Sequence, residues 1–162
     1  MFLSFYRDQI DIQKDSDEKS PEQNLYTGTY TWNWLKDSNL QTPWGTFSAD
    51  LLPAEQISIS TGEKHTILLD ADGIDKAFFI SAKKSGDTMI PFGKNHAKKC
   101  KKIFTDAHVT AEQQAAIPFL RTESGNIIWM TGIRRSNFAI TTNKTQKVLQ
   151  IKFTAANTPD SL

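Results

Sequence analysis

The sequence predicts an α+β fold: a mostly β first part, then a small mixed α/β domain carrying one basic amphipathic helix. Three observations point there. Short runs alternating apolar with polar residues recur from Tyr26 onward, and a period of two marks a half-buried strand. One later stretch, GKNHAKKCKKIF from Gly93 to Phe104, changes to helical spacing. The charge is also divided. Residues 1–75 hold 13 acidic and 5 basic residues, and residues 76–162 hold 5 acidic and 14 basic ones, so the net of +1 hides −8 and +9. The second part is the one suited to meeting a polyanion.

Taken in order, residues 1–24 open on a short apolar run and then turn polar, DIQKDSDEKSPEQN, which predicts a lead-in or linker. Residues 25–75 read as a β-rich segment. YTGTYTWNW alternates threonine with aromatics, and TFSADLL, QISIS and HTILL follow, separated by Pro, Gly or Asp-rich turns. A second domain is expected over 76–153. It begins with AFFISA and the loop KKSGDTMIPFG, in which Gly86, Pro91 and Gly93 are the punctuation.

The helix comes next. At about 100° per residue, Ala97, Cys100, Ile103, Phe104 and Ala107 share one side, and Lys98, Lys101, Lys102 and, near the edge, Lys99 share the other. One face should bury while the other presents ammonium groups. Thr110-Ala-Glu-Gln113 has capping-box spacing for a second short helix ended by Pro118. The pattern then returns to strands at IIWMTGI, FAITT and KVLQIKF, with Ser124-Gly125-Asn126 as a turn and residues 154–162 as a frayed tail.

Chemistry is mostly excluded. There is no GxxxxGK[ST] or GxGxxG, and Gly93-Lys94 stands without the upstream glycine of a phosphate loop. One cysteine and three scattered histidines, His65, His96 and His108, do not make a zinc site. Cys100 falls on the apolar side of the helix, where it serves as a small buried hydrophobe. Asp70, Asp72 and Asp75 in DADGID lack the remaining ligands of a calcium loop and read as a turn. No apolar run reaches the roughly 18–20 residues of a membrane span, and a lone cysteine fits a reducing cytoplasm. No catalytic or metal-binding residue is assigned.

What stands out is the basic set, which can neutralise phosphates without reading bases. It comprises Lys94, Lys98, Lys99, Lys101 and Lys102, with Arg134 and Arg135 after the WMTGI strand and Lys83-Lys84 before the loop.

The order of these pieces, KKSGDTMIPFG, then KKCKKIF, then IPFL, then GNIIWMTGIRR, resembles the C-terminal domain of bacterial tRNA(Ile)-lysidine synthetases, a fold of the PheT/TilS type. The match runs from about Phe78 to Phe153. The resemblance implies a full-length ligase that uses ATP and Mg to adenylate cytidine 34 of an isoleucine tRNA with a CAU anticodon, then attaches lysine. That chemistry belongs to an N-terminal domain with an SGGxDS loop. SGDT at 85–88 lacks the second glycine and the Asp-Ser, so no cofactor site is expected in this chain.

What the resemblance implies here is tRNA processing by a noncatalytic, RNA-binding recognition module on the acceptor-stem side, in the cytoplasm, with a catalytic domain in trans as a further partner. It makes Gly86, Asp87, Pro91, Gly93 and Gly132 structural, with Asp87 bonding backbone amides. Two departures bear on tRNA affinity: Gln114 and Ala115 stand where the family has Arg-Asp, and Ser81 replaces a basic loop residue. The alternative is a protein-interaction or structural module, its basic face docked on the acidic half or on a separate catalytic domain. Little free positive surface would be its mark.

Overall fold

The computed structural model describes residues 28–56 and 64–156. The lead-in expected over 1–24 and nearly all of QISIS lie outside the described residues.

Eleven strands are built from these residues: β1 Thr29–Asn33, β2 Asn39–Thr42, β3 Gly45–Pro53, β4 Thr66–Asp70, β5 Ala77–Ser81, β6 Thr88–Met89, β7 Lys98–Lys99, β8 Phe119–Arg121, β9 Ile127–Met130, β10 Arg134–Arg135 and β11 Lys147–Ala155. Two helices, α1 Cys100–Asp106 and α2 Ala111–Gln114, separate β7 from β8. The pairings are antiparallel. One sheet runs β1-β5-β8-β9-β10, a second runs β2-β3-β11-β4, and β6 pairs with β7 alone.

The alternation that marks the strands is the one the structure uses. Trp32 and Trp34 are buried while Thr31 is exposed, and Leu149, Ile151 and Phe153 are buried along β11 while Lys152 is exposed. These residues meet between the two sheets, with Phe47, Leu69, Phe78 and Ile80, in the larger core cluster. Buried indole N–H groups need acceptors. Trp32 donates to the Asp37 carbonyl at 2.7 Å and Trp34 to the Asp75 carbonyl at 2.8 Å.

Strand pairing crosses the boundary expected at residue 76. β1 lies against β5, and β11 lies between β3 and β4. The physical reason is β11 itself: nine residues long and alternating, it needs partners on both edges, and these come from the earlier part of the chain. β11 also continues through Ala155, two residues into the expected tail, while residues 157–162 lie outside the described residues.

Around β8 and β9 the five-stranded sheet is buried on both faces. The register shifts between Leu120, which faces Trp129, and Arg121, which faces Ile127. The extra residue in β9 sends Ile128 and Trp129 to the larger cluster, and Ile127 and Met130 to a smaller one on the other face. Cys100, Ile103 and Phe104 of α1 complete that smaller cluster with Met89 and Phe119.

FAITT is not a strand. Ala139 has φ 50, and the residues around it lie in a turn and irregular chain. Its carbonyls are used from the side instead: Phe138 accepts from Arg135, and Ala139 accepts from the Asp70 N–H at 2.8 Å.

Candidate nucleic-acid interface

The basic stretch folds differently from its helical spacing at its first residues. Lys98 and Lys99 pair in register with Met89 and Thr88, and Lys99 is extended, at φ −69 and ψ 135. The helix starts only at Cys100, whose N–H donates to the Asp87 carbonyl at 3.0 Å. α1 is therefore seven residues long. Its body keeps the expected faces, with Cys100, Ile103 and Phe104 buried and Lys101 and Lys102 exposed. Ala97 precedes the helix and Ala107 caps it, and both are exposed.

α2 is set by the capping box read from the sequence. The Thr110 hydroxyl accepts from the Gln113 N–H at 3.1 Å, and the Gln113 side chain accepts from the Thr110 N–H at 2.9 Å.

The lysines divide by partner. Lys98 reaches the Asp106 carboxylate at 2.6 Å and Lys102 reaches its other oxygen at 3.3 Å. Hydrogen bonds from Lys98 and then Lys102 hold the Asp106 carboxyl below its usual 3.8. Lys83 donates to the Gln114 side-chain oxygen at 2.6 Å. Lys84, Lys94, Lys99 and Lys101 are exposed.

The two arginines differ more sharply. Arg134 is half-buried and points a guanidinium nitrogen at the Phe92 carbonyl, 3.5 Å away. Arg135 is tied to main chain. It donates to the Ser136 carbonyl at 2.9 Å, the Leu68 carbonyl at 2.7 Å and the Phe138 carbonyl, and its guanidinium lies 5.6 Å from the centre of the Phe92 ring. Burial lowers its pKa to about 10. Its donors serve the fold.

The loop before α1 is built around Asp87, which accepts from the Lys84 N–H at 2.6 Å, as expected of a residue that shapes the turn. Its larger partner was not read from the sequence. Arg121 donates to both Asp87 oxygens, at 3.0 and 2.8 Å, and also to the Ser81 hydroxyl at 2.9 Å and the Ala82 carbonyl at 3.1 Å. A forked guanidinium satisfied on every side can be buried at this depth. The signal was present: an arginine ending the apolar run IPFL needs a carboxylate somewhere. Ser81, one of the two departures from the family pattern, is a ligand of that guanidinium.

A cleft of about 420 Å³ lies where the loop meets β10, and it gathers Lys94, His96, Lys98 and Arg134. Asn137 fixes its wall, accepting from the Gly93 N–H at 3.0 Å and donating to the Lys94 carbonyl at 2.7 Å. Gly93 has φ +83, which a side chain would strain, and Pro91 bridges to Ser136. Gly86 lies in the turn ahead of Asp87. Gly132 allows a close approach: a Cβ there would sit 2.9 Å from the His65 Nε2.

The remaining candidates have structural partners. The Asp70 carboxylate accepts from the Asp72 N–H and the Thr145 hydroxyl, each at 3.0 Å, and Asp75 accepts from the Glu123 N–H at 3.1 Å. Burial pushes the Cys100 thiol up to about 12, with Asp87 adding to the rise and Arg121 opposing it. Among the described residues no group of three or more His, Cys, Asp or Glu could hold a metal ion, and no helix is long and apolar enough to cross a membrane.

Comparison with known proteins agrees with the order of these pieces. Residues 78–152 match the family model described as the TilS substrate C-terminal domain. A tRNA(Ile)-lysidine synthase of Clostridium acetobutylicum is 34% identical over 91 residues, covering 56% of this chain and 20% of that protein. One of Bacillus cereus is 30% identical over 116 residues, covering 62% of this chain and 24% of that protein. The chain thus spans a fifth to a quarter of these relatives' length. A crystal structure of a TilS C-terminal domain superposes with a TM-score of 0.67 at 20% identity, covering 81% of this chain and all of that one, which establishes the fold.

Proposed function

We propose, from the match of residues 78–152 to the TilS substrate C-terminal domain, that the chain is a noncatalytic tRNA-recognition module of a tRNA(Ile)-lysidine synthase. It binds the tRNA through phosphates, on the acceptor-stem side, in the cytoplasm. In the whole enzyme cytidine 34 of the isoleucine tRNA with a CAU anticodon is converted to lysidine. A catalytic domain outside this chain supplies that reaction. ATP and magnesium belong to that domain in this reading, and Asp87, the carboxylate of the turn at 85–88, is engaged by Arg121.

The observation that carries this reading is the charge of one continuous stretch. Residues 83–102 contain seven lysines and one acid, and that acid, Asp87, is already neutralised by Arg121. Lys99, Lys101 and Lys102 are exposed beside the cleft that holds Lys94, Lys98 and Arg134. The ion pairs Lys98–Asp106, Lys102–Asp106 and Arg121–Asp87 all lie after residue 76. An A-form acceptor stem offers phosphates and shape rather than readable base edges, which suits lysines acting as point charges.

The test is the affinity of the chain for an isoleucine tRNA with a CAU anticodon and for an elongator methionine tRNA, across a salt series. Each neutralised phosphate should contribute about 0.9 to the log–log slope for a duplex. Lys99→Glu with Lys101→Glu, both exposed and outside the Asp106 pair, should weaken binding by about tenfold or more and flatten the slope by about two. A steep slope with preference for the isoleucine tRNA supports a recognition module. Unchanged affinity in the double variant would put the interface on another face. Absence of binding at low salt would leave the lysines to a protein partner.

A further inference from the structure

The cleft has an aromatic neighbour that phosphate binding alone does not use. Phe92 is 50% exposed, and Ile90 is 40% exposed. The chain at 90–92 lies along that at 135–137 through the Pro91–Ser136 bridge, with the Asn137 N–H donating to the Ile90 carbonyl at 2.9 Å and the Phe92 N–H to the Arg135 carbonyl at 3.0 Å, and Phe92 then enters the turn closed by the Lys94 N–H on the Pro91 carbonyl at 3.0 Å. Ile90 and Phe92 are both exposed while Pro91 is buried between them. The Phe92 ring is also held from beneath. The Arg135 guanidinium lies 5.6 Å from its centre, and that guanidinium is itself tied to three main-chain carbonyls. Arg134, hydrogen-bonded to the Phe92 carbonyl at 3.5 Å, links the ring's residue to the cleft.

A flat ring fixed at its backbone and backed by an immobile cation, with further cations beside it, has the two parts that single-stranded nucleic acid recognition needs. These are a stacking surface and a charge for the phosphate. Bases inside a duplex cover one another's faces, so such a ring selects a base that is unpaired. Resting on the RNA reading given above, we propose that Phe92 and the adjacent cleft hold one unpaired nucleotide next to the duplex, its base against the exposed side of the Phe92 ring and its phosphate among Lys94, Lys98 and Arg134. Lys98 brings with it the Asp106 carboxylate, 2.6 Å from its Nζ, which an incoming phosphate has to displace or share. The convex lysines of α1 then follow the paired backbone, while the cleft marks where pairing ends.

The experiment compares a blunt-ended RNA hairpin with the same hairpin carrying unpaired nucleotides at its 3′ end, with 2-aminopurine at the first unpaired position. The full chain is tested as wild type, Phe92→Ala and Phe92→Trp. The overhang should tighten binding of the wild type about tenfold, the scale of one base stacked on an aromatic ring. The advantage and the quenching of 2-aminopurine should both vanish in Phe92→Ala and persist in Phe92→Trp. Near-ultraviolet circular dichroism of Phe92→Ala checks that the exposed ring is not needed for folding. Equal binding of both hairpins with a steep salt slope would overturn this inference and leave the RNA reading standing. So would an overhang preference that survives in Phe92→Ala. Failure of the chain to bind either hairpin would remove both.

Discussion

The five-stranded sheet is covered on its two faces by different material. On one face lies the second sheet, whose strands come from far apart in the chain; aromatic side chains from both sheets, among them Trp32, Phe47 and Phe78, fill the space between. On the other lie α1 and the loops around it, which contribute Met89, Cys100, Ile103 and Phe104, with Val109, Ile117 and Ile133 packed against them half-buried. The first cover is held by ladders and ring packing. The second is held by polar locks: Arg121 on Asp87, Asn137 on the cleft loop and Thr110 on α2. A thin cover fixed by hydrogen bonds leaves its outer side free for charge, and that is where the exposed lysines sit. Both covers should matter to stability, and RNA binding should depend on the second.

The lock at Asp87 offers the largest test of this contrast. Asp87→Ala would leave a buried guanidinium without its counter-charge, since the two side chains are only 12% and 5% exposed. Removing one partner of a buried pair costs about 3–5 kcal/mol, so the urea midpoint should fall sharply. Replacing both, Asp87→Ala with Arg121→Met, should recover much of that loss. A double variant no more stable than Asp87→Ala would show that Asp87 acts through the turn at Lys84 rather than through Arg121.

Matched cavities compare the faces directly. Phe47→Ala in the larger cluster and Phe104→Ala in the smaller one each delete a fully buried ring, and each should cost about 3–5 kcal/mol. Their effects on RNA should part. Below the unfolding transition, Phe47→Ala should bind RNA like the wild type. Phe104→Ala loosens the seat of α1 and should weaken binding several-fold. Equal affinities in the two variants would mean that the position of α1 does not matter to the interface.

The same contrast explains what could be read from the sequence. The strands that bury one side and expose the other were legible, because Trp32-Trp34 or Leu149-Ile151-Phe153 is a pattern imposed by the pleat itself. So were the buried side of α1 and the Thr110–Gln113 capping box. Pairing partners were not, because alternation states that β11 needs neighbours without saying that β3 and β4 supply them. Lys98 and Lys99 have helical spacing and are drawn into a strand by Thr88 and Met89, a tertiary demand that no local propensity records. Arg134 and Arg135 are adjacent and identical in type, yet one lines the cleft and the other is spent on carbonyls of residues 68, 136 and 138. Charge can be counted in a sequence, but the partners that use it up come from the fold.

Asp106 gives the smallest effect and the most direct reading of the functional side. It is the one carboxylate on the exposed side of α1, and it holds Lys98 at 2.6 Å and Lys102 at 3.3 Å. Those hydrogen bonds keep its carboxyl below the usual 3.8. The stabilisation they provide is therefore present above the unfolded value and lost only as pH falls through the lower folded value, so it does not vary near neutral pH. The pair is exposed to solvent, and Asp106→Asn should leave the thermal midpoint almost unchanged. RNA binding should respond instead. Removing the carboxylate frees two ammonium groups for phosphate, so affinity at moderate salt should rise about threefold and the log–log salt slope should steepen. A variant that binds RNA no better than the wild type would show that Lys98 and Lys102 are already released from Asp106 in the complex, or lie outside the contact. Combining Asp106→Asn with Lys98→Gln and Lys102→Gln separates the two. A loss of affinity places both lysines at the phosphates, and no change confines the interface to Lys94, Lys99, Lys101 and Arg134.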